Sequence, residues 1–176
     1  SMRWFVSIFF SLLLVFSGCQ PQKNMKKLKV AATAVPHAEI LEQVKSDLAE
    51  KGIDLQIVVV DDYNIPNRAL AENEVDANFF QHVPFLEVQE KELKFSLEPY
   101  FAVHLEPMGL YSIHLEFISQ LEKGSVVAIP MDPTNQARAL ALLERVGLIT
   151  LQGRDTTVTV MDIKDNPLEL KVIELD

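Results

Sequence analysis

One cysteine in 176 residues leaves no partner for an intrachain disulfide and no thiolate set for a zinc site. Basic residues are also scarce: 16 Lys and Arg face 25 Asp and Glu, for a net charge of -9. A field of that sign repels nucleic acid and anionic membrane surfaces, and no basic cluster offsets it, which argues against nucleic-acid binding. The four histidines, His37, His82, His104 and His114, show no HxxxH or HExxH spacing. Chain order therefore points to no metal site, although spacing leaves clustering in space open. GxSxG, Walker and GxGxxG motifs are absent as well, so the common hydrolase, nucleotide-hydrolysing and dinucleotide-binding chemistries have no support. There is no internal repeat, no low-complexity tract and no apolar run of the ~20 residues that a membrane-spanning helix needs.

What is present is an apolar fraction of 48% with 23% charged residues, a composition that folds and fills one core or two small lobes. The chain starts with an address. Arg3 precedes Trp4 to Phe16, of which only Ser7 and Ser11 are polar. That length suits the apolar region of a signal peptide. The segment ends Phe16-Ser17-Gly18-Cys19, and small residues before a lone cysteine resemble the lipobox of bacterial lipoproteins, with Phe16 in place of the usual Leu. In that family the cysteine is lipidated and becomes the first mature residue. The same residues also read as a plain secretory signal beside a free cysteine. Residues 1–18 are thus expected to be a leader, and residues 19–27 a lipidated Cys19 with a polar tether.

The body alternates strand-like and helix-like segments. Leu28 to Thr33 predicts a strand, and Pro36 opens a helix whose Ile40, Leu41, Val44 and Leu48 share a face up to Lys51-Gly52. Leu55 to Val60 reads as a strand buried on both faces, which completes a βαβ unit. A short helix from Pro66, a strand over Val75 to Phe80 and a helix from Pro84 follow. Tyr100 to Leu105 and Met108 to Ser112 read as extended, and Leu115 to Leu121 as a weak helix. Ser125 to Pro130 is a buried strand, Pro133 opens the strongest helix, and strands are expected at Val158 to Ile163 and Leu170 to Leu175. The pattern is that of an α/β fold with mainly parallel sheets, in two lobes that meet near residue 105.

Three stretches carry polar groups at strand ends, where α/β folds place ligands. In Asp132-Pro133-Thr134-Asn135-Gln136-Ala137-Arg138, free amides at a helix start and an arginine one turn in suit a carboxylate; the same spacing also fits a capped helix with a surface arginine. In Phe79-Phe80-Gln81-His82-Val83-Pro84-Phe85, aromatics crowd a histidine and can wall an apolar ligand, or pack as ordinary core. Asp61-Asp62-Tyr63 offers paired carboxylates, for acid–base work or for capping the next helix.

Taken together and in order, these blocks become recognisable. Ala34-Val35-Pro36-His37-Ala38-Glu39-Ile40-Leu41, Asp62 to Leu70, Val75 to His82, Pro130 to Asn135, Val146 to Ile149 and Asp165-Asn166-Pro167 closely resemble the methionine-binding lipoprotein family. Its members are the substrate-binding subunits of methionine ABC importers. The resemblance implies a type II periplasmic-binding fold, with residues 28–104 as the first lobe and 105–176 as the second. It implies that Arg138 holds the methionine carboxylate, that Tyr63, Phe80 and His82 line the side-chain pocket, and that Asn135 either supports the contacting residues from behind or supplies an amide contact. Phe85 stands where the family commonly has tyrosine. The implied partners are methionine, the permease with its ATPase, and a membrane reached through the lipid anchor, in the bacterial cell envelope; no cofactor is implied. The family continues beyond the segment that matches Lys171 to Asp176. The second lobe is therefore expected to be incomplete, with exposed edges, and the chain to self-associate. Two other readings compete: a surface lipoprotein or antigen that no longer binds an amino acid, and an enzyme using Asp61, Asp62 and His82.

Overall fold

The computed structural model describes residues 24–175; the expected leader and Cys19 lie outside the described residues. The first half is built on β1 (Lys26–Thr33), which lies between β2 (Ile53–Val60) and β3 (Ala77–Phe79), both parallel to it. Parallel neighbours need crossovers, and α1 (Glu39–Glu50) and α2 (Ile65–Ala71) supply them. The central position of β1 buries its apolar end: Val30, Ala31 and Ala32 are 5%, 1% and 0% exposed. Lys26 and Lys27 belong to this strand rather than to the expected tether. They pair with Ile53 and Asp54, and the Lys26 amide donates to the Gly52 carbonyl at 2.8 Å.

Pro36 opens a helical stretch, as expected, while the burial of β2 is corrected. Val35 before it is extended (φ -127°, ψ 130°), as a residue before proline tends to be, and after this kink the wide helical turn that ends at Ala38 runs straight into α1. The apolar face of α1 is only partly covered, since none of its residues is buried. β2 is not buried on both faces: it pairs with β1 alone among the described strands and leaves Val59 54% exposed.

After β3, α3 (Val83–Leu93) packs against α4 (Pro133–Arg145) of the second half. In that half, β4 (Val126–Pro130) pairs in parallel with β7 (Lys171–Leu175), and α4 covers β4. A short antiparallel pair joins β5 (Thr150–Leu151) to β6 (Ile163–Asp165). The larger core is here, formed by Val127, Ile129, Leu140, Leu143, Leu148, Ile149, Val158 and Leu170 with small alanines of α4. Full burial of a side chain such as Leu140 contributes roughly 1.5–3 kcal/mol. β4 alternates buried and exposed residues, so it is a half-buried strand rather than a fully buried one.

The ends of α4 follow from its sequence. Pro133 sits in the first turn and Asp132 caps it. At the other end Gly147 takes φ 79°. Its amide donates to the Glu144 carbonyl at 2.9 Å and the Leu148 amide to Leu143 at 3.0 Å, the paired bonds of a Schellman stop.

Elsewhere the outcome differs. The strand expected over Val158 to Ile163 is replaced up to Asp162 by a 3-10 turn, Val160–Asp162. The Asp162 carboxylate accepts from the Thr159 amide at 2.8 Å, and this local bond competes with a sheet ladder. The weak helix shrinks to one turn at Ile118–Gln120. Residues 94–117 form neither strand nor helix, so the two extended segments expected there pair with nothing. Among the described residues no helix is long and apolar enough to cross a membrane.

Candidate ligand-binding cleft

A cleft of about 1290 Å³ runs between the two halves. All six residues expected to bind a ligand line it: Tyr63, Phe80, His82, Phe85, Asn135 and Arg138. They come from three separate stretches: the β2–α2 loop, the β3–α3 connection with the first turn of α3, and the first turns of α4.

The aromatic wall comes from the first half. Phe80 and Phe85 meet edge to face with centroids 5.7 Å apart, and Tyr63 lies 6.0 Å from each. Phe85 is buried at the base of this wall, whereas Tyr63 is exposed at its rim. A polar staple holds the wall in place. Asn67 of α2, fully buried, donates to Gln81 Oε1 at 2.8 Å and accepts from Gln81 Nε2 at 2.7 Å and from Asn78 Nδ2 at 2.9 Å. These amides tie α2 to the β3 end and fix the backbone from which Phe80 and His82 project.

His82 stacks on Phe85 at 6.5 Å. Its Nε2 is buried and has no hydrogen-bond partner among the described residues. Burial pushes its pKa below the usual 6.5, and the charge of Arg138 pushes the same way against the weaker pull of Asp132. His82 is therefore neutral near pH 7. The second orphaned atom is Gln89 Oε1, on a buried side chain that also lines the cleft. Sequence reasoning missed Gln89. Its spacing from Phe85, one turn along α3, was the available signal.

The opposite wall carries the charge. Arg138 Nη1 donates to Asn135 Oδ1 at 3.1 Å and Nη2 to the Glu106 carbonyl at 2.8 Å. Neither acceptor is a carboxylate, and the guanidinium makes no ion pair among the described residues. The expected anion contact at the helix start is corrected. Asp132 already fills it, accepting from the Asn135 amide at 3.0 Å, the Asn135 side chain at 3.0 Å and the Thr134 hydroxyl at 3.0 Å. Arg138 keeps a charge that no carboxylate among the described residues answers, and Asn135 holds the guanidinium in place.

Asp61 and Asp62 line the cleft too, but both are exposed. Asp62 serves its own turn, accepting from the Asn64 amide at 2.7 Å. At a further point of the lining, His37, His104 and Glu106 converge. The first two are 67 positions apart, so neither spacing nor motif revealed them.

Residues 28–176 match the family model of the NlpA lipoproteins. The chain is 43% identical over 172 residues to the methionine-binding lipoprotein MetQ of Bacillus subtilis, covering 92% of this chain and 63% of that protein. It is 38% identical over 168 residues to the D-methionine-binding lipoprotein MetQ of Escherichia coli K12, covering 94% of this chain and 62% of that protein. Among solved structures, an ABC transporter periplasmic substrate-binding protein from Coxiella burnetii superposes with a TM-score of 0.80 at 41% identity, over 85% of this chain and 63% of the other. The chain spans less than two thirds of the length of each of these relatives. Its α/β architecture with parallel sheets is that of the periplasmic substrate-binding proteins. The family model and these relatives agree, and the chain belongs to the NlpA lipoprotein family.

Proposed function

We propose that this chain is the ligand-binding part of an extracytoplasmic lipoprotein that delivers methionine, or a close amino acid, to an ABC permease and its ATPase. The carrying observation is the pairing of opposite walls: an aromatic face with a neutral, unpartnered His82 confronts an Arg138 that has no carboxylate of its own. An amino acid with an apolar side chain brings the two complementary groups, a carboxylate for the guanidinium fork and an uncharged tail for the aromatic wall. Binding and release need no bond chemistry, so the chain acts as a receptor and not as an enzyme. Residues 28–104 and 105–176 serve as the two lobes that close on the ligand. Cys19 carries the lipid that holds the protein at the bacterial envelope.

Thermal-shift and calorimetric titration with L-methionine, D-methionine and a panel of other amino acids tests this. A ligand present at about 100 times its Kd raises stability by about 2.7 kcal/mol. Arg138→Ala, which leaves the α4 core untouched, is expected to abolish that gain, and Arg138→Lys to restore it only in part because the fork is lost. No stabilisation by any amino acid would reject the reading. Full affinity in Arg138→Ala would reject the role of the arginine.

A further inference from the structure

We propose that His37, His104 and Glu106 form a binding site for one divalent transition-metal ion of the zinc class. The two imidazoles and the carboxylate each offer one ligand atom, and these atoms lie within 4.8 Å of one another. Bonds of about 2.0–2.2 Å in tetrahedral geometry place ligand atoms roughly 3.3–3.5 Å apart. His37 Nε2 already stands 3.1 Å from Glu106 Oε1, and His104 Nε2 approaches the same oxygen. His104 and Glu106 are exposed, so modest side-chain rotations suffice to open the cluster around an ion.

The cluster is built around His37. That ring is buried, packs edge to face on Phe79 at 4.7 Å, and has Nδ1 2.7 Å from the Thr33 hydroxyl oxygen. An outer partner on one ring nitrogen is what orients a metal-ligating histidine and sets its tautomer. With the proton on Nδ1 and donated to Thr33, the Nε2 lone pair faces the Glu106 carboxylate. In that tautomer a metal ion can take the place that a shared proton holds in the other. His104 packs against both His37 and Phe79, at 5.3 Å and 5.6 Å, which brings its Nε2 to the same point. Three protein ligands facing a cleft leave a fourth position open to water or to a ligand.

The site joins two parts of the molecule. His37 lies in the turn after β1, while the Glu106 carbonyl accepts from Arg138 of α4. A bound ion therefore ties the first half to the segment that positions Arg138. The proposal stands on these side chains alone and does not rest on the amino-acid reading.

The test uses untagged, chelator-treated protein with no amino acid added, titrated with Co²⁺ and then with Zn²⁺. Expected are one equivalent of Co²⁺ with a visible d–d band of low coordination number, its displacement by Zn²⁺, and affinity weakened roughly tenfold or more in His104→Ala and in Glu106→Gln. His114→Ala, outside the cluster, should bind as the parent does. Circular dichroism of each variant confirms the fold, and both altered cluster residues are exposed. Absence of saturable one-to-one binding would mean that the cluster shares protons only and would overturn the proposal. Unchanged affinity in His104→Ala and Glu106→Gln would overturn it too.

Discussion

His82 shows how one buried atom shapes the behaviour of a site. Its pKa is lowered by burial and by Arg138, so the folded state prefers the neutral ring. The unfolded chain then binds more protons than the folded one once the pH drops below about 6.5. The stability held by the neutral ring is complete above that pH and is lost as the pH falls toward the lowered folded value. Thermal midpoints measured from about pH 7.5 down to about pH 5.5 should therefore fall, and His82→Gln should flatten that dependence. An identical slope in the variant would show that other groups carry it. Gln89 belongs beside His82, since its orphaned oxygen looks for a donor from whatever occupies the cleft.

At the level of elements, the cleft depends on how α2 and the β3–α3 connection are locked together. Asn67→Ala removes the hub of the amide staple and leaves Gln81 and Asn78 with unmet polar atoms. A cost of about 1–3 kcal/mol is expected for each buried group left unsatisfied, read as a lower urea midpoint. Ligand affinity should weaken with it, because Phe80 and His82 lose their anchor. Elements with punctuation at both ends were legible in the chain. α4 carries Asp132 and Pro133 before it and Gly147 after it, and it formed where expected. Val158 to Ile163 has the β-branched look of a strand, yet Thr159 and Asp162 bond to each other and make a turn. Local side-chain bonds outweighed propensity there. β2 misled for another reason: a run of valines records apolar character but not whether a neighbour covers it.

At the scale of the whole molecule, legibility falls with separation along the chain. Tyr63, Phe80, His82 and Arg138 each sit in a stretch that ends a strand or opens a helix, and chain order singled out those stretches, which the fold brings to one cleft. His37 with Glu106, and Arg138 with the Glu106 carbonyl, meet only because the fold returns the chain to one place. Residues 94–117 lie across that place, and Phe101, Leu105, Tyr111 and Ile113 are 78%, 89%, 87% and 93% exposed. Apolar side chains so displayed favour contact with a second copy. Light scattering across a concentration series of the isolated chain is expected to show mass rising with concentration, and replacement of Phe101 and Ile113 by serine to suppress it. A constant monomer mass would remove self-association from the account.

The cap on α4 has a consequence beyond helix stability. Asp132 places a fixed negative charge close enough to act on His82, in the same cleft as the positive charge of Arg138. With His82 neutral, these two charges cancel, and Asp61, Asp62 and Glu92 add acid to the remaining lining. A zwitterion enters such a space with both of its charges answered. Glutamate or aspartate brings one anion too many. On the amino-acid reading proposed above, the residue that ends a loop and begins a helix would also filter the charge of the cargo.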